Sequence, residues 1–386
     1  MNQFKKLNNY IGWAIFLIAS FVYLSTIEQT VSFWDCGEYI ATAYKLEVGH
    51  PPGAPLFQLF GRIFSLFAAQ GTSEVAVAIN IMSAICSSFT ILFLFWTITA
   101  FGKRIFLKTK KELEGSKIIA VLGSGIVGAL SYTFSDSFWF SAVEGEVYAM
   151  SSLFTAVTFW CIMKWEEEAD HPQASRWLVL IGYLIGLSIG VHLLSLLTIP
   201  AMGMIYYFKK YDYTIAGAIK AFVLSMAILG LVQGVIIPGA VSLISKFELF
   251  FVNTIGLPFN SGTIIYFLTI TAAITFGLIY TKKHNKAIWN TAILGVMMML
   301  IGYSSFAILV VRSNANPPID ENNPEDAVGL LSYLKREQYG SWPIVYGQHF
   351  NAKLDSRKPY LDGNPIYAKD EKKGKYVIID ERKNTI

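Results

Sequence analysis

Acidic side chains, a histidine and two prolines crowd into residues 33–62, directly after the first apolar run, in the sequence FWDCGEYIATAYKLEVGHPPGAPLFQLFGR. Asp35 and Glu38 lie three residues apart, so a helical turn would put both carboxylates on one face. A carboxylate at the end of a membrane helix, partly desolvated by Phe33, Trp34 and Tyr39, could act as a general base on an alcohol. The two carboxylates could equally do no more than solvate a helix end.

His50 opens a His-Pro-Pro-Gly sequence at residues 50–53. The two prolines exclude a helix and fix the main chain, and Gly53 would let a substrate approach the backbone closely. The imidazole could bind substrate as a hydrogen-bond donor or as a ligand nitrogen. Prolines alone would suffice to break a helix, so the histidine marks a candidate substrate contact.

Two further regions carry candidate binding residues. Glu144, Glu146 and Asp136, in the segment SDSFWFSAVEGEVY, could hold a divalent cation or orient a hydroxyl acceptor, although a solvated acidic loop fits equally well. His192 lies at a turn between apolar runs, and Arg312 follows the last run. Either could bind a phosphate, because a guanidinium fork matches phosphate oxygens. A packed histidine and an arginine that extends to the membrane interface are the plain alternatives.

The composition that must position these residues is that of a membrane protein. The 386 residues are 54% hydrophobic and only 15% charged, whereas soluble domains carry about 25% charged residues. We therefore predict an all-α polytopic membrane protein with about nine transmembrane helices, since a span needs about 20 apolar residues. The predicted spans are residues 10–27, 76–101, 118–134, 147–164, 177–190, 193–208, 220–237, 262–280 and 287–311.

The distribution of positive charge predicts the orientation of these spans. Most Lys and Arg residues of the connecting segments fall on the side of the N-terminus, which is therefore predicted to be cytoplasmic. The long first outer loop should carry an amphipathic interfacial helix in PLFQLFGRIFSLFAA. A transmembrane domain, 1–311, would then be followed by a polar extracytoplasmic tail, 312–386, with a short helix (AVGLLSYLKREQYG) and strands at WPIVYG and YVIIDE.

Some chemistries find no support in the sequence. The three cysteines lie far apart in unlike settings, so neither a disulfide framework nor a zinc site is indicated, and we assign no metal ligands. A Walker loop, a dinucleotide glycine fingerprint and a His-Glu-x-x-His sequence do not occur. ATP hydrolysis and zinc proteolysis are therefore not predicted.

Four separated segments carry a resemblance to a known family. They are FWDCGEYIATAYKLEVGHPPGAPLF, EGEVYAMSSLF, GLSIGVHLLSLLTIPA and RSNANPPIDENNPEDAVGLLSYLKREQYG. Together they resemble the membrane family named domain of unknown function 2723, which is abundant in Bacteroidetes and has animal relatives regarded as protein O-mannosyltransferases. The resemblance covers about residues 1–350, and the family is grouped with the GT-C glycosyltransferases.

The resemblance implies a function and roles for the candidate residues. A sugar, mannose by analogy, would pass from a polyprenyl-phosphate carrier to a protein Ser or Thr hydroxyl on the periplasmic face of a bacterial inner membrane. Asp35 would be the base, with Glu38 and His50 orienting it or the sugar. Arg312 and His192 would stabilise the leaving phosphate.

Glu144 and Glu146 would line the acceptor side, and a divalent cation could assist without being required. No other cofactor is implied. Many bacterial members of the family are much longer, so the resemblance predicts either a fragment whose tail begins a longer region or a short member.

Two functions of other classes remain open on the sequence. A secondary transporter would place charged or helix-breaking residues at the middle of its spans, in two repeated halves. Here the ionisable residues cluster at outer ends, and the sequence carries no internal repeat that we can identify. A non-catalytic subunit of an envelope assembly would use the tail for docking.

Overall fold

The computed structural model describes residues 3–68, 71–106, 113–339, 347, 349–357, 359–381 and 383–385. Helices dominate these residues, and short strands occur only toward the C-terminus of the described part. The helices are α1 Gln3–Ser25, α2 Cys36–Lys45, α3 Pro55–Ser65, α4 Val75–Phe106, α5 Ser116–Thr133, α6 Asp136–Ala142, α7 Val147–Glu168, α8 Ser175–Ile189, α9 Thr198–Lys210, α10 Ile215–Leu231, α11 Ile237–Leu249, α12 Ser261–Lys283, α13 Ala287–Tyr303, α14 Ala307–Ser313 and α15 Ala327–Leu334. The strands are β1 Tyr360–Asp362, β2 Ile366–Asp370, β3 Lys375–Asp380 and β4 Lys383–Thr385.

Seven helical segments in the described residues are long and apolar enough to cross a membrane. The shorter apolar helix α8 lies below that length. Backbone amides and carbonyls cannot find water in lipid, so each apolar run of this length satisfies them internally as a helix. The predicted class, an all-α polytopic membrane protein, is confirmed. Every one of the nine predicted runs is helical over most of its length.

The predicted loop at residues 238–262 is wrong for most of its length. A continuous helical segment runs from Ile215 to Ile255, with π-helical turns at Val232–Ile236 and Phe250–Ile255. Pro238 and Gly239 follow directly on the seventh predicted span, which ends at residue 237. Pro238 instead stands in the first turn of α11, directly after the first π turn, where a missing N–H is tolerated.

The chain divides into two compact units. The first consists of Met1–Glu47, Ala54–Gly230 and Gly277–Phe306, and the second of Val48–Gly53, Leu231–Phe276 and Ala307–Ile386. In the first unit, α4 packs against α1, α5 and α7, and α7 packs against α8. The division of the sequence into 1–311 and 312–386 concerns membrane topology and stays a prediction.

Glycines allow α8 and α13 of the first unit to pack closely against each other. A Cβ atom on Gly186 would lie 2.1 Å from the carbonyl oxygen of Met299, and one on Gly182 would lie 2.5 Å from that of Gly295. Gly302 of α13 is equally close to the α8 backbone, with its Cβ position 2.5 Å from the Leu187 nitrogen. Small residues at such positions let membrane helices pack backbone against backbone.

Ion pairs concentrate at one end of the first unit. Arg104 at the end of α4 pairs with Glu166, Arg176 pairs with Glu168 at 2.7 Å, and Lys209 pairs with Asp170 at 3.0 Å. Each exposed pair adds little stability. The acidic side chains of the segment KWEEEADHPQ, residues 164–173, therefore balance the positive charges at the ends of neighbouring helices.

The predicted first outer loop contains the predicted amphipathic helix, which the structure places at α3. Its polar residues bind neighbouring backbone and side chains: Gln58 donates to the hydroxyl of Thr42 at 3.1 Å, and Arg62 donates to the carbonyl of Tyr44 at 2.6 Å. These bonds attach α3 to α2. The helix is confirmed, while its position at a membrane interface stays a prediction.

The second unit contains the short strands of the tail. β2 pairs antiparallel with β3, and β1 pairs antiparallel with β4. The predicted strand YVIIDE is confirmed as β3, and the predicted tail helix is confirmed as α15. The predicted strand WPIVYG lies almost entirely outside the described residues.

A buried carboxylate joins three parts of the second unit. Glu248 of α11 is fully buried and accepts hydrogen bonds from the Thr263 amide at 2.9 Å and the Thr263 hydroxyl at 3.0 Å. The Tyr376 hydroxyl of β3 lies 3.4 Å from the same carboxylate and donates to Asp326 at 3.1 Å. The network shows that the face of α11 that carries Glu248 packs against other protein groups. These groups supply the hydrogen bonds that a buried carboxylate needs.

Candidate functional site

Chain topology brings most of the candidate residues of the first unit to one end of its helices. α1 ends before the loop that carries Asp35, α7 begins after Glu146, and α8 ends just before His192. The His192 ring lies 5.5 Å from that of Tyr148, measured between centroids. The site therefore combines three loops that are distant in sequence.

Asp35 and Glu38 occupy the N-terminal end of α2. Asp35 is the N-cap residue and is exposed, and Glu38 is half-buried in the first turn. Carboxylates are favoured there because the helix dipole presents positive charge at its N-terminus. The predicted short spacing thus places two acidic groups on one helix end, with Asp35 the more accessible.

The aromatic residues before Asp35 do not cover it. Phe33 is 73% exposed and Trp34 is 89% exposed, so the desolvation expected from these two rings is wrong. Trp34 adopts a left-handed backbone conformation, with φ of 60°. Exposed aromatic rings at the end of a membrane helix are typical of the interface with lipid headgroups.

Glu144 and Glu146 lie behind α2 in the interior. Their side chains are only 4% and 5% exposed, and Glu146 caps α7 by accepting from the Val147 amide. Burial first, and then the charges of Glu144 and Glu146, raise the pKa of the Cys36 thiol. These carboxylates are therefore close to α2 but do not present an open surface to a peptide.

Tyr39 interacts electrostatically both with Asp35 and Glu38 of α2 and with the buried Glu146. Burial, followed by the negative charges of Glu146, Asp35 and Glu38, raises the pKa of its hydroxyl. The hydroxyl therefore stays protonated and can act only as a neutral donor or acceptor near these carboxylates. The sequence signal for Tyr39 is its position one residue after Glu38. The sequence analysis assigns Tyr39 only to the aromatic surroundings of the carboxylates.

Asn80 is a site residue that the sequence analysis missed. It is fully buried on α4 and donates to the carbonyls of Glu28 at 2.7 Å and Thr30 at 3.2 Å. It thereby holds the segment that leads from α1 to Asp35. A lone amide in an apolar run is costly unless it has a role, and that signal could have identified it.

His192 is neutral at pH 7. Burial lowers the pKa of its imidazole, and its Nδ1 atom accepts from the Leu194 amide at 3.2 Å. A neutral ring whose Nδ1 accepts carries its proton on Nε2. His192 can therefore offer one N–H to an oxygen of a substrate, but not the positive charge that a phosphate-binding role had implied.

The pH dependence of stability follows from this burial. Because the folded pKa lies below the ordinary value of 6.5, the contribution of His192 is complete above pH 6.5 and is lost as the pH falls through the folded value. We expect His192→Asn, which keeps an acceptor for Leu194, to flatten the loss of stability between pH 7 and 5. The difference should approach at most about 1.4 kcal/mol per pH unit. Thermal unfolding in detergent at both pH values measures it, and parallel profiles for the two proteins would contradict the prediction.

His50 belongs to the second unit, where its turn has a structural partner. The Tyr333 hydroxyl of α15 donates to the carbonyls of Gly49 at 2.6 Å and His50 at 3.2 Å. Gly53 has φ of 72°, and a Cβ atom there would lie 2.7 Å from the Tyr333 oxygen. The space predicted for a substrate beside Gly53 is therefore occupied by Tyr333.

Arg312 also belongs to the second unit, where it is half-buried in the last turn of α14. The following segment contains Asp320, whose carboxylate accepts from the Ser313 hydroxyl at 2.9 Å. Burial is the main cause that raises the pKa of Asp320. The candidate residues thus divide between the units: five lie in the first, and His50 and Arg312 in the second.

Three or more His, Cys, Asp or Glu side chains do not meet in a metal-binding arrangement anywhere in the part of the chain that the structure describes. The buried Oε2 atom of Glu144 and Oδ1 atom of Asn80 have no hydrogen-bond partner there. Both are acceptors, so any group that binds them must donate a hydrogen bond or carry positive charge.

Comparisons with known proteins cover different parts of the chain. Residues 35–215 match the family model for the N-terminal domain of the protein O-mannosyl-transferase TMEM260. Residues 340–386 match a family of unknown function, DUF8416. The first match contains Asp35, Glu38, Glu144, Glu146 and His192.

Two relatives are described as protein O-mannosyl-transferase TMEM260. The one from Dictyostelium discoideum is 30% identical over 143 residues, which are 37% of this chain and 15% of the relative. The one from Mus musculus is 25% identical over 176 residues, which are 46% of this chain and 22% of the relative. The matched parts thus span less than a quarter of these relatives, and no solved structure matches significantly. The predicted likeness to protein O-mannosyltransferases is confirmed, whereas the 2723 family and a Bacteroidetes origin stay predictions.

Proposed function

We propose that this chain is a membrane glycosyltransferase that moves a mannose-like sugar from a polyprenyl-phosphate donor to a Ser or Thr hydroxyl of a protein. The observation that carries the proposal is the position of Asp35: it is an accessible carboxylate at a helix N-terminus and the first residue of the region that matches the O-mannosyl-transferase domain. Glu38, Glu144, Glu146 and His192 lie around it in the same unit.

In the proposed reaction, Asp35 takes the proton from the acceptor hydroxyl while the oxygen of that hydroxyl attacks the anomeric carbon. The bond from that carbon to the phosphate oxygen breaks, and polyprenyl phosphate leaves with the bonding electrons. One displacement of this kind inverts the anomeric configuration and needs one carboxylate base, without a covalent sugar intermediate. This is the inverting GT-C reaction.

The other residues would support the base and the leaving group. Within the first unit, neutral His192 would give an N–H to the substrate. The phosphate contact of Arg312 and the substrate contact of His50, both in the second unit, stay predictions. Glu38 would orient the base or the sugar. Glu144 and Glu146 are buried, so their contribution would come through Cys36 and Tyr39 rather than by direct contact with a peptide.

We propose that the site faces the periplasm from a bacterial inner membrane, with the N-terminus in the cytoplasm. Along the chain, Arg176 lies in the first turn of α8 and Lys209 in the last turn of α9, whereas His192 lies between these two helices. Arg104 lies in the last turn of α4, and the other end of α4 follows the segment that carries Asp35. Positive charge at the inner ends of spans favours that orientation.

Sugar transfer by the purified chain in liposomes tests the proposal. Radiolabelled polyprenyl-phosphate mannose is supplied with a peptide that contains Ser and Thr, and label in the peptide is the expected result. Label that crosses the bilayer without entering the peptide would favour the transporter alternative. A folded chain that does neither would favour a non-catalytic subunit and would contradict the proposed function.

A further inference from the structure

A cleft of about 620 Å³, lined by both polar and apolar residues, lies within the second unit. The consecutive residues Asn364–Lys369, from β2 and the segment before it, line one side, and residues of α11 and α15 line the other. Side chains alternate between the two faces of a strand. A cleft that is lined by consecutive residues therefore reaches the edge of the strand as well as one of its faces.

The hydrogen bonds of the hairpin identify which backbone groups face that edge. Tyr376 of β3 gives its N–H to the side-chain oxygen of Asn253 at 2.8 Å and accepts from the side-chain amide of Asn253 at 2.9 Å. Both backbone groups of Tyr376 thus point away from β2. Its partner across the hairpin is Lys369, so these two residues form a pair without mutual hydrogen bonds.

Opposite residues in an antiparallel pair alternate between bonded and non-bonded pairs. The N–H and C=O groups of Lys369 must therefore point away from β3, and so must those of Tyr367, two residues earlier. Among the described residues, β3 is the one strand that pairs with β2. The edge that carries these groups has the geometry needed to pair with a further strand.

The charges of the cleft are balanced. Basic and acidic side chains occur in equal number, as Lys246, Lys335 and Lys369 against Glu325, Asp326 and Glu337. Lys369 pairs with Asp326 at 3.3 Å and with Glu325 at 3.5 Å. A polyanionic or polycationic ligand gains no net attraction from such a surface, which favours an uncharged polar ligand.

Hydroxyl and amide side chains supply the remaining polarity, among them Ser242, Ser245, Asn322 and Gln338. Such groups both donate and accept, as the backbone and hydroxyls of a peptide require. We propose that the cleft binds an extended, uncharged peptide rich in Ser and Thr, which pairs as a strand with the edge of β2 that faces away from β3. The choice of Ser and Thr rests on the proposed function, while strand pairing does not.

Binding to the full chain carrying Asp35→Asn tests the inference without turnover. The probe is a fluorescein-labelled peptide of about ten residues, alternating Ser and Thr, and its binding is measured by anisotropy in detergent. Lys369→Pro removes the outward N–H, and Lys369→Ala removes the same ion pairs but keeps that N–H. We expect the proline variant to bind about tenfold more weakly than the alanine variant, because one hydrogen bond is lost.

A second comparison leaves the protein unchanged, in case the proline variant does not fold. Two peptides carry N-methyl groups on alternate amides, in the two opposite registers. Strand pairing predicts that one methylated peptide binds much more weakly than the other. Equal binding of both peptides, no binding of the unmethylated peptide, or binding of a neutral oligosaccharide in its place would overturn the inference.

The outcomes separate this inference from the proposed function. Sugar transfer by the wild-type chain without peptide binding to the β2 edge would refute the cleft and leave the function standing. Peptide binding that depends on the β2 edge, without sugar transfer, would support the cleft and refute the proposed function.

Discussion

Asp35→Asn is expected to lower the turnover number for sugar transfer by about 10²–10⁴-fold, the usual contribution of a general base. Asparagine has nearly the same shape as aspartate, so the exposed end of α2 should fold unchanged. The amide nitrogen cannot take the proton of the attacking hydroxyl, and the reaction loses its base. Donor binding should change little, because the carboxylate acts on the acceptor.

Asp136→Asn provides the matched control. Asp136 is also an exposed aspartate in the first turn of a helix, α6, in another loop of the first unit. It should keep the wild-type rate. The measurement is label transferred to a Ser and Thr peptide per mole of folded protein. A folded Asp35→Asn protein that transfers sugar at the wild-type rate would show that Asp35 is not the base, and equal losses in both variants would point to a general charge effect.

Gly186→Ala is expected to destabilise the first unit by about 1–3 kcal/mol or more, the usual cost of overpacking. The new Cβ atom would stand 2.1 Å from the Met299 carbonyl oxygen. That oxygen is backbone and cannot rotate away, so α8 and α13 must separate. Separation removes contacts along the interface that glycine makes close.

Gly295→Ala is the control for the same interface, because it adds a methyl group where there is space for one. A Cβ atom on Gly295 meets nothing within 4 Å, and alanine favours a helix over glycine by up to about 1 kcal/mol. We expect this variant to be as stable as the wild type or slightly more stable. Thermal unfolding of both variants in detergent decides the matter. Equal losses at the two positions would contradict the glycine-dependent contact.

The helices could be predicted because lipid leaves an apolar run of this length few alternatives. The end of the seventh run could not, because its course depends on tertiary contacts. Pro238 and Gly239 resemble a loop in isolation, but a π turn accommodates the proline. The polar residue Glu248 is then stabilised by Thr263 from the following helix.

The candidate site shows a similar division between local and tertiary information. The spacing of Asp35 and Glu38 was enough to predict a shared helix end, because three residues make about one turn. The burial of Glu144 and Glu146 could not be inferred, since an acidic loop is usually solvated. The space expected for a substrate beside Gly53 is filled by Tyr333. This contact could not be predicted, because Tyr333 lies almost 300 residues further along the chain.

The long helical segment Ile215–Ile255 has a consequence for its axial position in a bilayer. Lys220 precedes and Lys246 follows a stretch, residues 221–245, without any charged side chain. At 1.5 Å per residue, this stretch is about 37 Å long, slightly more than the hydrocarbon thickness of about 30 Å. Sliding by a few turns in one direction would draw Lys220 into lipid, and sliding in the other would draw in Lys246 and Glu248. Each such charge costs about 2.5–3.5 kcal/mol at the membrane centre, so the two ends act as opposing stops that fix the depth at which α11 leaves the membrane.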